Sequence, residues 1–264
     1  MDTENHNRFA WDYLAQTHDP FTLPVSPAQV AAARKGDFQI YLSPTRPAPH
    51  VWFQDLGSKD VLCLAGGGGQ QGPILAAAGA NVTVLDLSPE QLAQDRFVAQ
   101  REQLSMTTIA GSMTDLSIFE DGSYDLIVNP VSNLFVENVW PVWVEAFRVL
   151  RPGGILIAGF MNPAFYIFDR QLMDDQDILQ VRHAIPYSDI KSLTQDELSE
   201  IQAMNWPLEF GHSLEDQIGA QISVGFSING FYEDRDPRCI LSNYISTYLI
   251  TRALKPSLTV ARLK

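Results

Sequence analysis

The stretch Val61-Leu62-Cys63-Leu64-Ala65-Gly66-Gly67-Gly68-Gly69-Gln70-Gln71-Gly72 decides the fold. Its apolar residues run directly into four consecutive glycines, and a second apolar run, Val82-Thr83-Val84-Leu85, ends at Asp86. This order predicts a strand, a tight glycine loop, a helix and a second strand that ends in an acid, as in nucleotide-binding βαβ units. Glycine allows the sharp turn and the close approach of a ligand. The acid can accept hydrogen bonds from both hydroxyls of a ribose. The stretch therefore predicts a nucleotide site.

Composition limits the class of protein. The chain has 264 residues, of which 45% are hydrophobic and 19% charged, which suits one large globular domain or a domain with an elaborated cap. The net charge of −13 repels phosphate backbones, so we expect no nucleic-acid partner.

Cysteine and histidine spacing favours neither disulfides nor a metal site. The two cysteines, Cys63 and Cys239, are isolated, and the five histidines show no ligand spacing. We expect no metal. The acidic, polar N-terminus does not resemble a signal peptide, and no apolar run approaches the length of a membrane span. The expected location is the cytoplasm, without a membrane partner.

The repeating core of the chain lies between residues 57 and 160. Short connections join alternating apolar runs and helix-like segments, and the runs are continuous, as in parallel strands that are covered on both faces. The predicted strands are 60–65, 81–86, 106–110, 124–129 and 155–160, and the predicted helices are 70–78, one starting at Ser88, and 139–150. Arg151-Pro152-Gly153-Gly154 is expected to break the last helix. Gln91 is placed to complete a capping box with Ser88.

Two segments flank or interrupt this core. Residues 1–56, with helices predicted at 7–16 and 27–35, are expected to form an N-terminal helical lid. Residues 57–264 would form the binding domain, with residues 161–212 inserted as a substrate cap above the carboxyl ends of the strands. In the cap and beyond it we predict strands at 178–185, 209–212, 227–233 and 243–254 and a helix at 213–224.

Two further motifs identify a family. Tyr124-Asp125-Leu126-Ile127-Val128-Asn129 follows the turn Asp121-Gly122-Ser123, and Arg148-Val149-Leu150-Arg151-Pro152-Gly153-Gly154 precedes the fifth strand. With the glycine loop, these motifs resemble the class I S-adenosylmethionine-dependent methyltransferases from about residue 59 to residue 160. The resemblance implies an α/β fold, namely a three-layer, doubly wound, Rossmann-like sheet of about seven strands with the last strand antiparallel. It also implies S-adenosylmethionine as the cofactor.

The resemblance assigns individual positions to the cofactor. Ala65, Gly66, Gly67 and Gln70 belong to the loop beside its methionine part, and Asp86 matches the acid that binds the ribose hydroxyls. The remaining matching positions are Leu87 and Gln91 beside adenine and ribose, Ser112 and Met113 after the third strand, and Asn129 near the transferable methyl group. Two positions depart from the family pattern. Cys63 stands where an acid is common, and Ser112 stands where Asp is common, so Asp115 is an alternative to Ser112.

The methyl acceptor is left open by the sequence. The sulfonium is already an activated donor, so the protein has to position the reactants, and no motif marks the acceptor. We predict a small-molecule acceptor whose O, N or C nucleophile is unspecified. The candidate bases are His50, His183 and His212. The candidate pocket aromatics are Trp11, Tyr13, Phe165, Tyr166 and Phe168.

Two other functions remain open at this point. The first is an NAD(P)-dependent oxidoreductase on a similar core. The second is an S-adenosylmethionine-binding protein without transfer activity. The sequence does not specify an oligomeric state.

Overall fold

The computed structural model describes residues 2–257. Its strands are β1 (Asp60–Leu64), β2 (Asn81–Asp86), β3 (Met106–Ala110), β4 (Tyr124–Asn129), β5 (Leu150–Met161), β6 (Tyr187–Ser188), β7 (Phe210–Gly211), β8 (Ser227–Asp234) and β9 (Tyr248–Leu254). Seven of them form one sheet in the order β3-β2-β1-β4-β5-β9-β8. Strands β1 to β5 are parallel, and β9 is antiparallel to β5 and β8. The predicted fold class, including the antiparallel last strand, is confirmed.

The helices cover both faces of this sheet. They are α1 (Thr3–Gln16), α2 (Pro27–Ala33), α3 (Gln71–Ala77), α4 (Pro89–Glu102), α5 (Trp140–Val149), α6 (Arg170–Gln176), α7 (Asp189–Ser192), α8 (Gln195–Ala203) and α9 (Ala220–Ser223), with a π-helical turn at Glu215–Gly219 before α9. Ser26 caps α2 in a complete capping box with Gln29. None of the described helices is long and apolar enough to cross a bilayer.

Strand β1 shows why the sheet has three layers. Val61, Leu62, Cys63 and Leu64 are fully buried. Val61 and Cys63 belong to the apolar cluster that contains residues of α2, α3 and α4. Leu62 and Leu64 belong to the cluster that contains residues of α5 and α9. Because successive side chains point to opposite faces, a continuous apolar run is what a strand between two helical layers requires.

The Arg-Pro-Gly-Gly stretch differs from its prediction. It breaks the helix as expected, but β5 already begins at Leu150, and its register with β4 shifts between Tyr124 and Leu126. Arg151 binds Asp125 at 2.7 Å and Asp60 at 2.8 Å. This paired guanidinium joins the starts of β1, β4 and β5, so the stretch is part of the sheet.

Residues 161–212 contain α6, α7, α8 and the two short strands β6 and β7. The strand predicted at 209–212 is confirmed as β7, which pairs with β6. The strand predicted at 178–185 is wrong, since only one isolated bridge forms, between Phe168 and Val181. Arg182 turns toward Asp169 and Glu197, which it contacts at 3.0 Å and 2.6 Å. Arg182 therefore bonds to the first turns of two helices, and residues 178–185 form no strand within the described part of the chain.

Candidate active site

A cavity of about 1060 Å³ lies where β1 to β5 end. Parallel α/β sheets usually hold their ligands at this edge. Its wall comes from three parts of the chain: the loops that follow these strands, the N-terminal segment with α1, and the segments around β7 and β9. The lining includes Gly67, Asp86, Trp11, Glu209 and Tyr248.

The glycine loop forms one end of the cavity. Gly67, Gly68 and Gly69 all have φ between 68° and 81°, a range that L side chains adopt at a cost. A side chain at Gly68 would also run into Oε1 of Gln91. Three adjacent left-handed residues therefore bring the main chain close to the cavity in a way that only glycine permits.

Asp86 lies at the end of β2 and faces the loop. Its carboxylate accepts a hydrogen bond from the Ser88 amide at 2.9 Å, and the amides of Gly67 and Leu87 also point at it. Burial outweighs these hydrogen bonds and raises its pKa to about 6. Main-chain amides thus fix the Asp86 carboxyl at the cavity wall, where it can accept hydrogen bonds from a ligand.

Two buried amide oxygens beside this end have no partner among the described residues. They belong to Gln71, whose Nε2 donates to Tyr41 O at 2.9 Å, and to Gln91. Both residues line the cavity. The predicted capping box at Gln91 is wrong, because the Ser88 amide is already bound to Asp86. Unpaired buried acceptors are costly. A ligand that carries hydroxyl or ammonium donors would satisfy them, so these residues fit S-adenosylmethionine.

The structure brings most of the predicted cofactor positions together. The cavity is lined by Ala65, Gly67, Gln70, Asp86, Leu87, Gln91, Ser112 and Met113. Gly66 and Asn129 do not line it. A Cβ at Gly66 would lie 3.0 Å from Cγ1 of Val84. Asn129 is fully buried below the cavity and donates to Ser132 Oγ at 2.9 Å.

The alternative at Asp115 fails. Asp115 is exposed, accepts a hydrogen bond from the Ser117 amide at 3.0 Å and does not line the cavity. Ser112 lines it, and its hydroxyl is 2.8 Å from that of Thr114. Of the two candidates for this position, Ser112 is the one in reach of a ligand.

Helix α1 closes one side of the cavity. Asn7 is 1% exposed and donates from Nδ2 to Phe135 O and Leu208 O, both at 3.0 Å. Its Oδ1 accepts from the Leu208 amide at 2.7 Å. Thr3 donates to Glu137 at 2.5 Å. The N-terminal helix is therefore fastened both to the loop after β4 and to the segment before β7.

The far end of the cavity is apolar with four charged groups. Met161, Phe165 and Tyr248 supply the apolar wall, and Arg170, Glu209, Asp236 and Arg238 supply the charges. Arg238 donates two hydrogen bonds to Asp236, from Nη2 to Oδ2 at 2.7 Å and from Nε to Oδ1 at 2.9 Å. These bonds lower the pKa of the Asp236 carboxyl. Arg170 Nη1 lies 3.7 Å from Glu209 Oε2, and its guanidinium lies 4.7 Å above the Phe165 ring.

Comparison with known proteins decides the family. A family model described as a methyltransferase domain matches residues 62–158. The uncharacterized methyltransferase YbaJ of Bacillus subtilis is 50% identical over 250 residues, which cover 95% of this chain and 97% of the relative. A solved S-adenosylmethionine-dependent methyltransferase from Mesorhizobium loti shares the fold with a TM-score of 0.57 at 18% identity, over 77% of this chain and 94% of that chain.

This chain belongs to the S-adenosylmethionine-dependent methyltransferases. S-adenosylmethionine is its cofactor, and it supplies the methyl group. A more distant relative is a ubiquinone biosynthesis O-methyltransferase of Xanthomonas oryzae, 29% identical over 108 residues, or 41% of this chain and 45% of that protein. Nothing in these comparisons supports an NAD(P)-dependent oxidoreductase or a binding protein without activity.

The three candidate histidines of the methyltransferase do not line the cavity. His212 is buried, and its Nε2 is within 3.1 Å of Asn133 O and 3.0 Å of Val136 O. Two carbonyl neighbours identify this nitrogen as a donor. His50 Nε2 lies 3.3 Å from Gly36 O, and the ring of His183 packs on Tyr187. Of the five candidate aromatics, Trp11 and Phe165 line the cavity.

Sequence reasoning missed a buried acid below the glycine loop. Asp95 of α4 is 1% exposed, and neither carboxyl oxygen has a hydrogen-bonding partner of normal geometry among the described residues. Burial and the nearby Asp86 raise its pKa well above the usual value, and the Gly69 amide offsets only part of this. Its charge would also act on Cys63. The methyltransferase therefore has an acid beside the loop, but from α4 and not from β1.

Proposed function

We propose that this methyltransferase transfers the methyl group of S-adenosylmethionine to a small molecule that binds inside the cavity. The observation that carries the proposal is the continuity of the cavity, which reaches from Asp86 at the cofactor end to Glu209 and Tyr248 at the far end. A volume of about 1060 Å³ has room for a cofactor and a second small molecule.

The cofactor end has a specific assignment in this proposal. Asp86 and the unpaired oxygen of Gln91 accept hydrogen bonds from the ribose hydroxyls. The unpaired oxygen of Gln71 suits the ammonium group of the methionine part. The other assigned contacts are Ala65, Gly67 and Gln70 along the methionine part and Leu87, Ser112 and Met113 around the adenine. Gly66 and Asn129 act from below, by keeping the loop and the floor in place.

The acceptor lies between two segments of the chain, one that precedes the core and one that is inserted in the binding domain. Residues 1–56 act as a lid, and residues 161–212 act as a cap within the binding domain 57–264. The side chain of Asn7 supports this division, because it bonds to the Leu208 main chain and so joins lid and cap directly. Closure of both segments excludes water from the transfer.

Positioning is the main task of the residues in this site. The sulfonium supplies an activated methyl group, and transfer requires an acceptor atom held in line with it. The apolar residues Phe165, Met161 and Tyr248 would orient the acceptor. A carboxylate among the charged groups near them would accept the proton of the acceptor atom.

Calorimetry and labelling test the proposal. Titration of the purified protein with S-adenosylmethionine, S-adenosylhomocysteine and NADH should show saturable binding of the first two and none of NADH. Incubation with methyl-tritiated S-adenosylmethionine and the dialysable small molecules of a bacterial extract should give a labelled small product. Label that appears only in the protein or RNA fraction of the extract would refute the small-molecule acceptor.

A further inference from the structure

We propose that Glu209 accepts the proton of the acceptor, and that the acceptor is an aromatic molecule with a hydroxyl group. This inference rests on the proposed function, since it assumes that the far end of the cavity holds the acceptor. Glu209, Tyr166 and Arg170 carry it, and all three come from the 161–212 segment.

The main chain fixes Glu209 beside the loop that follows β4. Glu209 directly precedes β7, and the next residue after β7, His212, binds the carbonyls of Asn133 and Val136. The Glu209 amide donates to Asp189 Oδ2 at 2.7 Å. Asn133 and Val136 belong to the loop after β4, so these bonds hold the segment that carries Glu209 beside that loop.

The carboxyl group of Glu209 has one oxygen engaged and one open. Its Oε2 accepts the Tyr166 hydroxyl at 3.0 Å. Its Oε1 makes no hydrogen bond within the described part of the chain, and its side chain is 22% exposed, toward the cavity that it lines. Burial and the nearby Asp189 raise its pKa, although Arg170 opposes the shift. A carboxylate that lines the cavity with an open oxygen and a raised pKa is suited to take a proton from a bound molecule.

Glu209 is not the close ion-pair partner of Arg170. Arg170 makes its close contact elsewhere, from Nε to Asp174 Oδ2 at 2.5 Å, and stays 3.7 Å from Glu209. The other carboxylate at this end, Asp236, is held by two contacts to Arg238. Of the two carboxylates, Glu209 is the one that keeps an oxygen available.

The surrounding charges and rings define the class of acceptor. Arg170 would repel an ammonium group but would stabilise the negative charge that grows on an oxygen as it loses its proton. Phe165 and Tyr248 offer flat apolar surface on the cavity wall, and such surface favours aromatic partners. The combination of a proton acceptor, a cation and aromatic rings therefore fits a phenol-type hydroxyl.

The step balances without another reactant. The acceptor hydroxyl gives its proton to Oε1 of Glu209, and its oxygen forms the new bond to the methyl carbon. The bond between that carbon and sulfur breaks, and its electron pair stays on sulfur. The products are an aryl methyl ether, S-adenosylhomocysteine and a protonated Glu209, which returns its proton to water.

A binding experiment tests the contact without catalysis. The probes are 4-ethylphenol and its methyl ether, 4-ethylanisole, titrated by calorimetry into the full chain saturated with S-adenosylhomocysteine. A hydrogen bond to a charged group predicts that the phenol binds roughly tenfold tighter than the ether. Glu209→Gln, which still can accept the Tyr166 hydroxyl, should reduce this preference to about threefold or less. Equal binding of both probes by the wild type would overturn the contact.

A kinetic experiment tests the proton transfer. With 4-ethylphenol as acceptor, Glu209→Gln should lower kcat by about 100-fold or more and leave KM for S-adenosylmethionine within about threefold. The acidic limb of the wild-type pH profile should disappear in the same variant. The matched control is Glu200→Gln on the exposed face of α8, which should behave as the wild type.

The outcomes separate this inference from the proposed function. An unchanged kcat and acidic limb in Glu209→Gln would overturn the role of Glu209. Transfer to 4-ethylaniline and not to 4-ethylphenol, or transfer to neither while S-adenosylhomocysteine still binds, would overturn the hydroxyl class. Failure to bind S-adenosylhomocysteine at all would instead refute the proposed function.

Discussion

The side chain of Asn7 pairs with both main-chain polar groups of Leu208, accepting from its amide at 2.7 Å and donating to its carbonyl at 3.0 Å. A third bond from the same side chain reaches Phe135 O. One buried amide thus joins α1, the segment before β7 and the loop after β4. Three parts of the cavity wall depend on it.

We expect Asn7→Ala to loosen this junction. The variant leaves the Leu208 amide and carbonyl without their partner, at a cost of about 1–3 kcal/mol in the free energy of unfolding. It should also speed the release of S-adenosylhomocysteine, because α1 covers the cavity. Stopped-flow dissociation and urea denaturation measure both effects. Asn5→Ala, on the exposed side of α1, is the control, and equal release rates in the two variants would contradict the role of Asn7.

Cofactor affinity should depend on the ionisation of Asp86. Burial of the carboxyl raises its pKa to about 6. Ribose hydroxyls donate to the carboxylate form, so binding favours loss of the proton, and affinity should rise with pH through this value. Between pH 7.5 and pH 5 the affinity for S-adenosylhomocysteine should fall roughly tenfold.

Asp86→Asn provides the comparison. The variant cannot ionise, so its affinity should be nearly independent of pH over this window. At pH 7.5 it should bind S-adenosylhomocysteine weaker by about 1–3 kcal/mol, because charge-assisted hydrogen bonds are lost. Calorimetry at several pH values gives both numbers. A wild-type affinity that does not change between pH 5 and pH 7.5 would remove the ribose assignment.

The sequence predicted the parts of this molecule that local patterns encode. The apolar run 61–64, the glycine loop and Asp86 lie close together in the chain, and their spacing alone specifies the strand, the turn and the position of the acid at the cavity. Ser88 was also predicted as a helix cap. The predicted role of the Gln91 side chain in a capping box was wrong, because Asp86 takes the Ser88 amide that would complete the box.

The contacts around Asn7 and Glu209 could not be predicted in the same way. Asn7 and Leu208 are 201 residues apart in the chain, and Glu209 and Tyr166 are 43 apart. No periodicity connects such pairs, and each residue type is common in ordinary loops. The incorrect strand at 178–185 has the same origin. Its apolar residues suggest a strand, but Arg182 binds the distant Glu197 and Asp169.

Asp95 should make stability fall as pH rises. Its folded-state pKa is raised well above the ordinary value, so the folded chain holds the proton that the unfolded chain loses near pH 4. The contribution of Asp95 to wild-type stability should therefore decrease above pH 4 by up to about 1.4 kcal/mol per pH unit, until the buried carboxyl itself ionises. Asp95→Asn, which cannot ionise, should gain stability relative to the wild type over the same range.

Urea denaturation at pH 4, 5, 6 and 7 measures this difference. The difference in stability between the wild type and Asp37→Asn, an exposed substitution of the same kind, should stay constant over these pH values. Parallel stability curves for Asp95→Asn and the wild type across this range would mean that Asp95 is not protonated in the folded protein.

Gly68 tests whether the loop conformation is essential for the cofactor. Gly68→Ala places a side chain at a φ of 68° and against Oε1 of Gln91. The strain alone costs about 1–2 kcal/mol, and displacement of Gln91 removes a proposed ribose contact. We expect the affinity for S-adenosylhomocysteine to fall at least about tenfold.

Two other glycines serve as controls that distinguish backbone strain from contact with the cavity wall. Gly36 has a φ of 81° with no atom within 4 Å of its Cβ position, and Gly57 has open space without a positive φ. Gly36→Ala should lower the melting temperature without changing cofactor affinity, and Gly57→Ala should change neither. If Gly68→Ala only lowered the melting temperature as Gly36→Ala does, the loop would serve folding alone. A loss of affinity specific to Gly68→Ala assigns the loop to the cofactor, because only there does the added methyl group meet a residue of the cavity wall.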